Sequence, residues 1–461
     1  MTKQAFSTLP LKPELISTLN DIGYSEMTPI QAQSLPSILE GKDVIAQGKT
    51  GSGKTAAFGL GLLNRLNVKR FRVQSLVLCP TRELADQVAI EIRKLARGIH
   101  NIKVLTLCGG VPVGPQIGSL EHGAHIIVGT PGRILDHMEK GRLSLEEVNT
   151  LVLDEADRML EMGFQPALDA IFAEVPANRQ TLLFSATYPT QIQSIAKQIM
   201  VKPEMVKVES NHDSSSITQF FYECDGNKDR MHALRLLLLK HQPESAVVFC
   251  NTKRDVKDVA AVLDNDGFSV VALHGDLEQR DRDQMLLKFA NKSVTVMVAT
   301  DVAARGLDID ALDAVINYHM AYDTEVHIHR IGRTGRAGSK GAAYTFFGHE
   351  DGYKVALLED YLGHDVKGSA LPDASVLNNT PPQPAMITLH IEAGKKAKVR
   401  PGDILGALTG EDGIEGKDVG KIKVTDYRSY VAVNRSVAKK ALKKLSNGKI
   451  KGKTHRVWQL R

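Results

Sequence analysis

Apolar and polar positions fall into three successive patterns along the chain. From residue 40 to 208, short apolar runs alternate with longer amphipathic stretches. The apolar runs lie at 44–47, 75–80, 103–108, 125–129, 150–154 and 180–185, and amphipathic stretches such as 82–97 and 165–174 separate them. Continuous apolar runs of this length predict strands buried on both faces, and the alternation predicts a parallel sheet wrapped by helices. Two helical patterns precede the series between residues 7 and 39, the second opening at Thr28-Pro29 with proline in its first turn. A second series has strands at 218–224, 246–251, 270–274, 295–300, 314–318 and 341–347, and helices at 253–265, 280–291 and 351–361. The third pattern reads β-α-β-β-α-β, at 387–391, 401–408, 420–424, 429–433, 437–445 and 454–460, the order of a small α+β sandwich.

The breaks between patterns are polar. Asn211-His212-Asp213-Ser214-Ser215-Ser216 reads as a flexible linker, and 371–384, with four prolines, as a stiffer one. The expected layout is therefore a domain at 1–208, a linker at 209–217, a domain at 218–370, a linker at 371–384 and a small domain at 385–461. No internal repeat or low-complexity tract is evident.

Charge changes this picture at one place. The net charge of +5 hides a split: residues 386–461 hold 18 Lys/Arg against 7 Asp/Glu, while the rest of the chain is mildly acidic. A basic last domain points to a polyanion partner. The hydrophobic and charged fractions, 43% and 24%, are those of a soluble globular protein, and no apolar run reaches membrane-span length. With no signal-peptide pattern at the N-terminus, the expectation is a cytoplasmic chain. Cys79, Cys108, Cys224 and Cys250 are widely spaced, which argues against a zinc site or a disulfide framework.

The stretch with the clearest chemistry is Gly48-Lys49-Thr50-Gly51-Ser52-Gly53-Lys54-Thr55. It follows an apolar strand and opens a helical pattern, the context in which Gly-x-x-x-x-Gly-Lys-Thr cradles phosphates. Backbone N–H groups and the helix N-terminus face the anion, Lys54 reaches the β- and γ-phosphates, and the Thr55 hydroxyl ligates Mg²⁺. Asp154-Glu155-Ala156-Asp157 ends a strand at the sheet edge where such folds bind ligands. Asp154 suits Mg²⁺, and Glu155 suits deprotonating a water. An acidic helix start is the plainer account, and it loses ground beside a phosphate loop. Arg333 and Arg336, three apart, would project together from one helical turn towards a transferring phosphoryl group. Alone they would read as surface charge.

These motifs and others in the same order resemble the DEAD-box ATP-dependent RNA helicase family. The resemblance implies two RecA-like parallel-sheet domains plus a C-terminal domain of the RNA-recognition-motif type. It implies ATP and Mg²⁺ as ligands and single-stranded RNA across both large domains. Phe6, Tyr24, Thr28 and Gln31 match the family's adenine-reading element, with Gln31 on the base edge and Phe6 stacked on the ring, although a core phenylalanine is equally consistent. Gly48, Thr50, Gly51, Ser52, Gly53, Lys54 and Thr55 hold the phosphates. Pro80, Thr81, Arg82, Gly110, Thr130 and Arg133 match RNA-contacting elements of the first domain. Ser185-Ala186-Thr187 matches the element that links hydrolysis to domain closure. In the second domain, Thr252, Gly275, Arg282, Thr300, Asp301 and Arg305 match RNA contacts. Gly306 and Asp308 fall at the nucleotide ribose, and Arg333 and Arg336 at the γ-phosphate on closure. His319-Met320-Ala321 departs from the family, many members of which carry an acid and a proline there.

The last domain resembles that of a subgroup which acts on the large ribosomal RNA during ribosome assembly. That implies a 23S rRNA hairpin and pre-50S ribosomal particles as partners of a monomeric protein. Its fit to a general RNA-recognition motif is poor. The strand 429–433 keeps one aromatic, Tyr430, and 387–391 none of the usual ones. Stacking of bases on the sheet is therefore not expected. A charged face and loops, including Lys449, Lys451 and Lys453, are expected to grip the RNA by its phosphates. Two other classes compete with the enzyme. A non-catalytic RNA clamp would show a lesion at Lys54, Asp154, Glu155 or the arginines, and a DNA translocase would lack the Gln31 element.

Overall fold

A computed structural model describes residues 4–48, 51–208, 217–304, 312–335 and 341–460. Thr50, Arg305, Gly306, Asp308, Arg336 and nearly all of the expected linker at 209–217 lie outside the described residues. Contacts divide the chain into two compact units.

The first unit is built on seven parallel strands: β1 (Val44–Gln47), β2 (Ser75–Leu78), β3 (Val104–Leu107), β4 (Ile126–Gly129), β5 (Thr150–Asp154), β6 (Gln180–Ser185) and β7 (Glu204–Lys207). Their order in the sheet is β3-β4-β2-β5-β6-β1-β7. Leu76, Val77, Leu151, Val152, Leu182 and Leu183 are fully buried. They divide by strand alternation between two apolar cores, one on each face of the sheet. The edge strand β7 has no counterpart in the apolar pattern. Only Val206 of its four residues is buried, and Met205 is 46% exposed.

The second unit carries a six-stranded parallel sheet: β8 (Ile217–Glu223), β9 (Ala246–Phe249), β10 (Val270–Leu273), β11 (Val296–Ala299), β12 (Ala314–Asn317) and β13 (Gly341–Phe347), in the order β10-β11-β9-β12-β13-β8. Part of the expected proline-rich linker belongs to this body. A short 3-10 turn at Ala374–Asn378, capped by Asp373, lays Val376 against the core of the sheet.

The same unit holds a four-stranded antiparallel sheet of β14 (Met386–Ile391), β15 (Val419–Val424), β16 (Ser429–Asn434) and β17 (Val457–Gln459), ordered β15-β16-β14-β17. Leu389, Ile391, Val431 and Val433 point to one face and pack against the helices Pro401–Thr409 and Ala438–Asn447. Alternation sends Thr388, His390 and Tyr430 to the other face. That face is covered. Asn291 Nδ2 donates to Thr388 Oγ1 at 3.0 Å, the Ser293 and Thr388 hydroxyls are 2.7 Å apart, and Met386 N donates to Lys292 O at 3.3 Å. Leu287, from the helix Gln279–Ala290, packs with Tyr430 and Leu460. Thr388 is wholly buried by this seam.

Candidate functional site

Every strand of the first sheet runs the same way, so the loops that follow the strands share one edge. Strand order divides that edge. The phosphate loop follows β1, Ser185-Ala186-Thr187 ends β6 and Asp154 ends β5. Pro80-Thr81-Arg82, Gly110 and Thr130 follow β2, β3 and β4. Residues matched to nucleotide and residues matched to RNA thus occupy adjoining halves, meeting between β5 and β2.

The phosphate loop is held from below. Gly53 has φ +92°, and a Cβ there would sit 2.5 Å from Gln31 Nε2, so both backbone and space require glycine. Lys54 opens the helix Lys54–Arg65, is buried, and donates from Nζ to Gly48 O at 2.8 Å. Thr55 follows it on the first turn, half-buried. Gln31 Nε2 donates to Gly53 O at 3.0 Å, and its Oε1 accepts from Thr28 N at 2.9 Å. Both ends of the amide are engaged within the protein, which leaves one N–H and one lone pair for a base edge. Phe6 is 3% exposed and belongs to the core, which accounts for the ring without a base. Tyr24 is tied to the helix Arg82–Leu95: its hydroxyl donates to Glu91 and accepts from Lys94.

Asp154 is almost wholly buried, and burial pushes its carboxyl up to about 7, with Lys54 pulling the other way. Its Oδ1 is buried without a hydrogen-bond partner among the described residues. An orphaned carboxylate oxygen beside a lysine and a helix-start hydroxyl fits a hydrated Mg²⁺ and its phosphates. Glu155 has φ +52° and ψ +52°, a left-handed conformation that turns the chain sharply from β5 into the helix Ala156–Glu161. The motif's fourth residue, Asp157, is the hub. Its Oδ2 accepts from both N and Oγ1 of Thr187 at 3.0 Å, and its own N donates to Ser185 Oγ at 3.3 Å. Gly48 N donates to Ser185 O, so β6 connects the phosphate loop to the acidic turn.

On the RNA-matched half, Thr81 caps its helix by accepting from Leu84 N, and Gly109 N donates to Thr130 Oγ1. Gly110 has φ +73°. Arg133 donates to Val111 O at 3.2 Å, and its Nη1 is buried without a partner among the described residues. Arg82 lies 3.8 Å from Asp86.

In the second sheet, Thr252, Gly275, Thr300 and Asp301 again follow strand ends, those of β9, β10 and β11. Thr252 caps its helix, and Arg282 donates to Ala303 O. Asp301 is committed to a bidentate pair with Arg330, at 2.6 and 2.7 Å. Arg330 is 2% exposed and also donates to Asn251 Oδ1, Asn317 Oδ1 and the carbonyl of His319. Its place in the sequence, among other charged residues, does not mark it out from His329 or Arg333. The helical turn expected to carry Arg333 is not there: the helix Thr324–Ile331 ends before it. Leu312 N donates to Arg333 O, and Gly335 has φ +66°, so Arg333 sits in a turn instead of on a helical face.

In the last domain, Lys449, Lys451 and Lys453 are all exposed, and Lys451 also donates to Lys398 O at 2.8 Å. The four cysteines are buried and unpaired. Among the described residues no helix is long and apolar enough to cross a membrane.

Two RecA-type sheets with a phosphate loop, an acidic strand end and hydroxyl-capped loops on one edge define a nucleotide-driven motor of the helicase class. The chain matches the DEAD/DEAH box helicase family over residues 28–195, the helicase conserved C-terminal domain over 229–338 and the DbpA RNA binding domain over 388–459. It belongs to the DEAD-box ATP-dependent RNA helicases. It is 54% identical over 454 residues to the ATP-dependent RNA helicase DbpA of Escherichia coli (strain K12), covering 98% of this chain and 99% of that one. The DEAD-box ATP-dependent RNA helicase CshA of Geobacillus kaustophilus is 47% identical over 341 residues, covering 74% of this chain and 73% of its own. Among solved structures, S. cerevisiae Dbp5 bound to RNA and ADP BeF3 superposes with a TM-score of 0.71 at 30% identity, over 80% of this chain and 95% of that one. The chain is thus an ATP-dependent RNA helicase.

Proposed function

We propose that the last domain directs this helicase to structured 23S ribosomal RNA in pre-50S particles, where a monomer in the cytoplasm remodels it with ATP. The observation that carries the reading is the last domain itself. It matches an RNA-binding domain family and holds 18 Lys/Arg against 7 Asp/Glu. Its surplus charge suits a phosphate backbone.

In this reading Lys54 leaves Gly48 O for the β- and γ-phosphates, and the amides of Gly51, Ser52 and Gly53 line the phosphate chain. Gln31 presents its remaining N–H and lone pair to adenine. Asp154 and Thr55 hold Mg²⁺, which when bound offsets charge on the phosphates. Glu155 takes the proton of the attacking water, and the bond to the β–γ bridging oxygen breaks to give ADP and phosphate. Arg333, with Arg336, supplies positive charge to the transferred group. Thr187, through Asp157, couples the state of the phosphate loop to RNA held by Thr81, Arg82, Gly110, Thr130 and Arg133 on the first unit. Thr252, Gly275, Arg282 and Thr300 hold the strand on the second. These contacts fall on the backbone, so sequence preference is left to the last domain.

The test is ATPase activity titrated with 23S rRNA hairpin fragments and with a generic hairpin, for the whole chain and for a chain ending at residue 384. Ending there keeps Val376 on its core. The whole chain should respond to the matching fragment at least tenfold more sensitively, and the shortened one should respond to both alike. Equal discrimination by the two proteins overturns the assignment.

A further inference from the structure

The sheet face that would stack bases in a fold of this kind is closed by the second domain over Thr388, His390 and Tyr430. The His390 ring lies 4.0 Å from Trp458 and 4.9 Å from Tyr430, centroid to centroid, on that closed face. Trp458, on the edge strand β17, keeps 40% of its surface exposed, and the domain's most exposed aromatic lies off the sheet. Tyr427 is 70% exposed, at the tip of the hairpin between β15 and β16.

The tip is pinned. Thr425 N and Oγ1 both donate to Arg428 O at 2.8 Å, closing the turn. The loop after β14 is zipped to it: Lys395 N donates to Thr425 O at 2.9 Å, and Lys396 N to Asp426 O at 2.8 Å. A Cβ on Gly394 would lie 2.2 Å from Thr425 O, so glycine is what allows the two loops to meet. Lys395 and Lys396, bonded through their backbone to the two residues before the tyrosine, are exposed, as is Lys398 on the same loop. An exposed ring on a fixed turn among lysines has little ordering cost to meet when a base arrives.

The position is also apt. Thr388 meets Asn291, just past the C-terminal end of the helix Gln279–Ala290, whereas Tyr430, the cross-strand partner of His390, packs on Leu287 within that helix. β14 therefore runs towards the start of that helix, and the loop after β14 emerges there. The start of that helix follows the strand-end edge where Gly275 and Arg282 sit.

We propose that Tyr427 is a stacking platform for one unpaired base of the bound RNA, with Lys395 and Lys396 on the flanking phosphates. The proposal rests on the reading that the last domain holds structured RNA. The experiment measures binding of the full chain to a 23S rRNA hairpin fragment and to a generic hairpin of equal length, across a salt series. Tyr427→Ala should weaken binding about tenfold without changing the slope of log affinity against log salt, because stacking releases no counterions. Tyr427→Phe should stay within threefold of wild type. Lys395→Ala should lower the slope by about one. In Tyr427→Trp the new indole should be quenched by the RNA, whereas Trp458, the sole native tryptophan, reports that the domain remains folded.

Tyr427→Ala binding within twofold of wild type, a loss in Phe equal to that in Ala, or an unquenched Tyr427→Trp each overturns the platform. If instead wild type fails to prefer the 23S fragment while Tyr427→Ala weakens both RNAs, the platform stands and the 23S assignment falls.

Discussion

Asp154 is placed under two opposing demands. Burial disfavours its charge and lifts its carboxyl to about 7, while the chemistry assigned to it needs the carboxylate. Its pKa lies above the unfolded value, so between pH 4 and 7 the native state binds more protons and stability falls as pH rises. Asp154→Asn removes this conflict. In the absence of nucleotide it should raise Tm at pH 8 by about 5 °C, with the gain shrinking towards pH 5, and it should abolish ATP hydrolysis. Calorimetry of both proteins across that range checks the sign. Glu155 carries a second local cost, a left-handed backbone in a residue with a Cβ. Glu155→Gln keeps that backbone and removes the base. Rapid-mixing assays should show ATP and RNA bound about as tightly as in wild type, with turnover down by at least a hundredfold.

Between elements, the informative bonds are those that cross from strand end to strand end. Thr187 and Asp157 join β6 to the turn after β5 by two hydrogen bonds. Thr187→Val keeps the backbone bond and drops the hydroxyl one. It should cost about 1 kcal/mol of stability and should separate hydrolysis from strand displacement, so that duplex unwound per ATP falls at least tenfold. Asp301 gives a contrasting case. Its pair with buried Arg330 means that Asp301→Ala strands a guanidinium, with a cost of about 3 kcal/mol before any RNA is added. Thermal unfolding without RNA separates that structural loss from a binding one. The chain's patterns carried the strands buried on both faces, because continuous runs such as Leu76-Val77 or Leu151-Val152 have no other stable placement. They did not carry β7, where one buried valine in four resembles loop. The phosphate loop and acidic turn were legible because their chemistry is contiguous. Asp157 meets Ser185, 28 residues away, and Arg330 meets Asp301, 29 residues away, and spacing holds no trace of such pairs.

At the scale of the whole molecule, the least legible feature was the seam over the last sheet. Thr388 and His390 are polar and alternate with Leu389 and Ile391, which reads as a solvated face, yet both are buried. Thr388→Val should leave Asn291 and Ser293 without their partner and open the seam, red-shifting Trp458 emission while far-UV circular dichroism stays unchanged. The seam is also narrow. Among the described residues its contacts on the large domain's side centre on Leu287, Asn291, the carbonyl of Lys292 and Ser293, one helix end and the turn beyond it. A surface that small is portable. Writing those side chains at the matching helix end of another two-sheet helicase would give this domain a berth there, and the guest would inherit the orientation as well as the address.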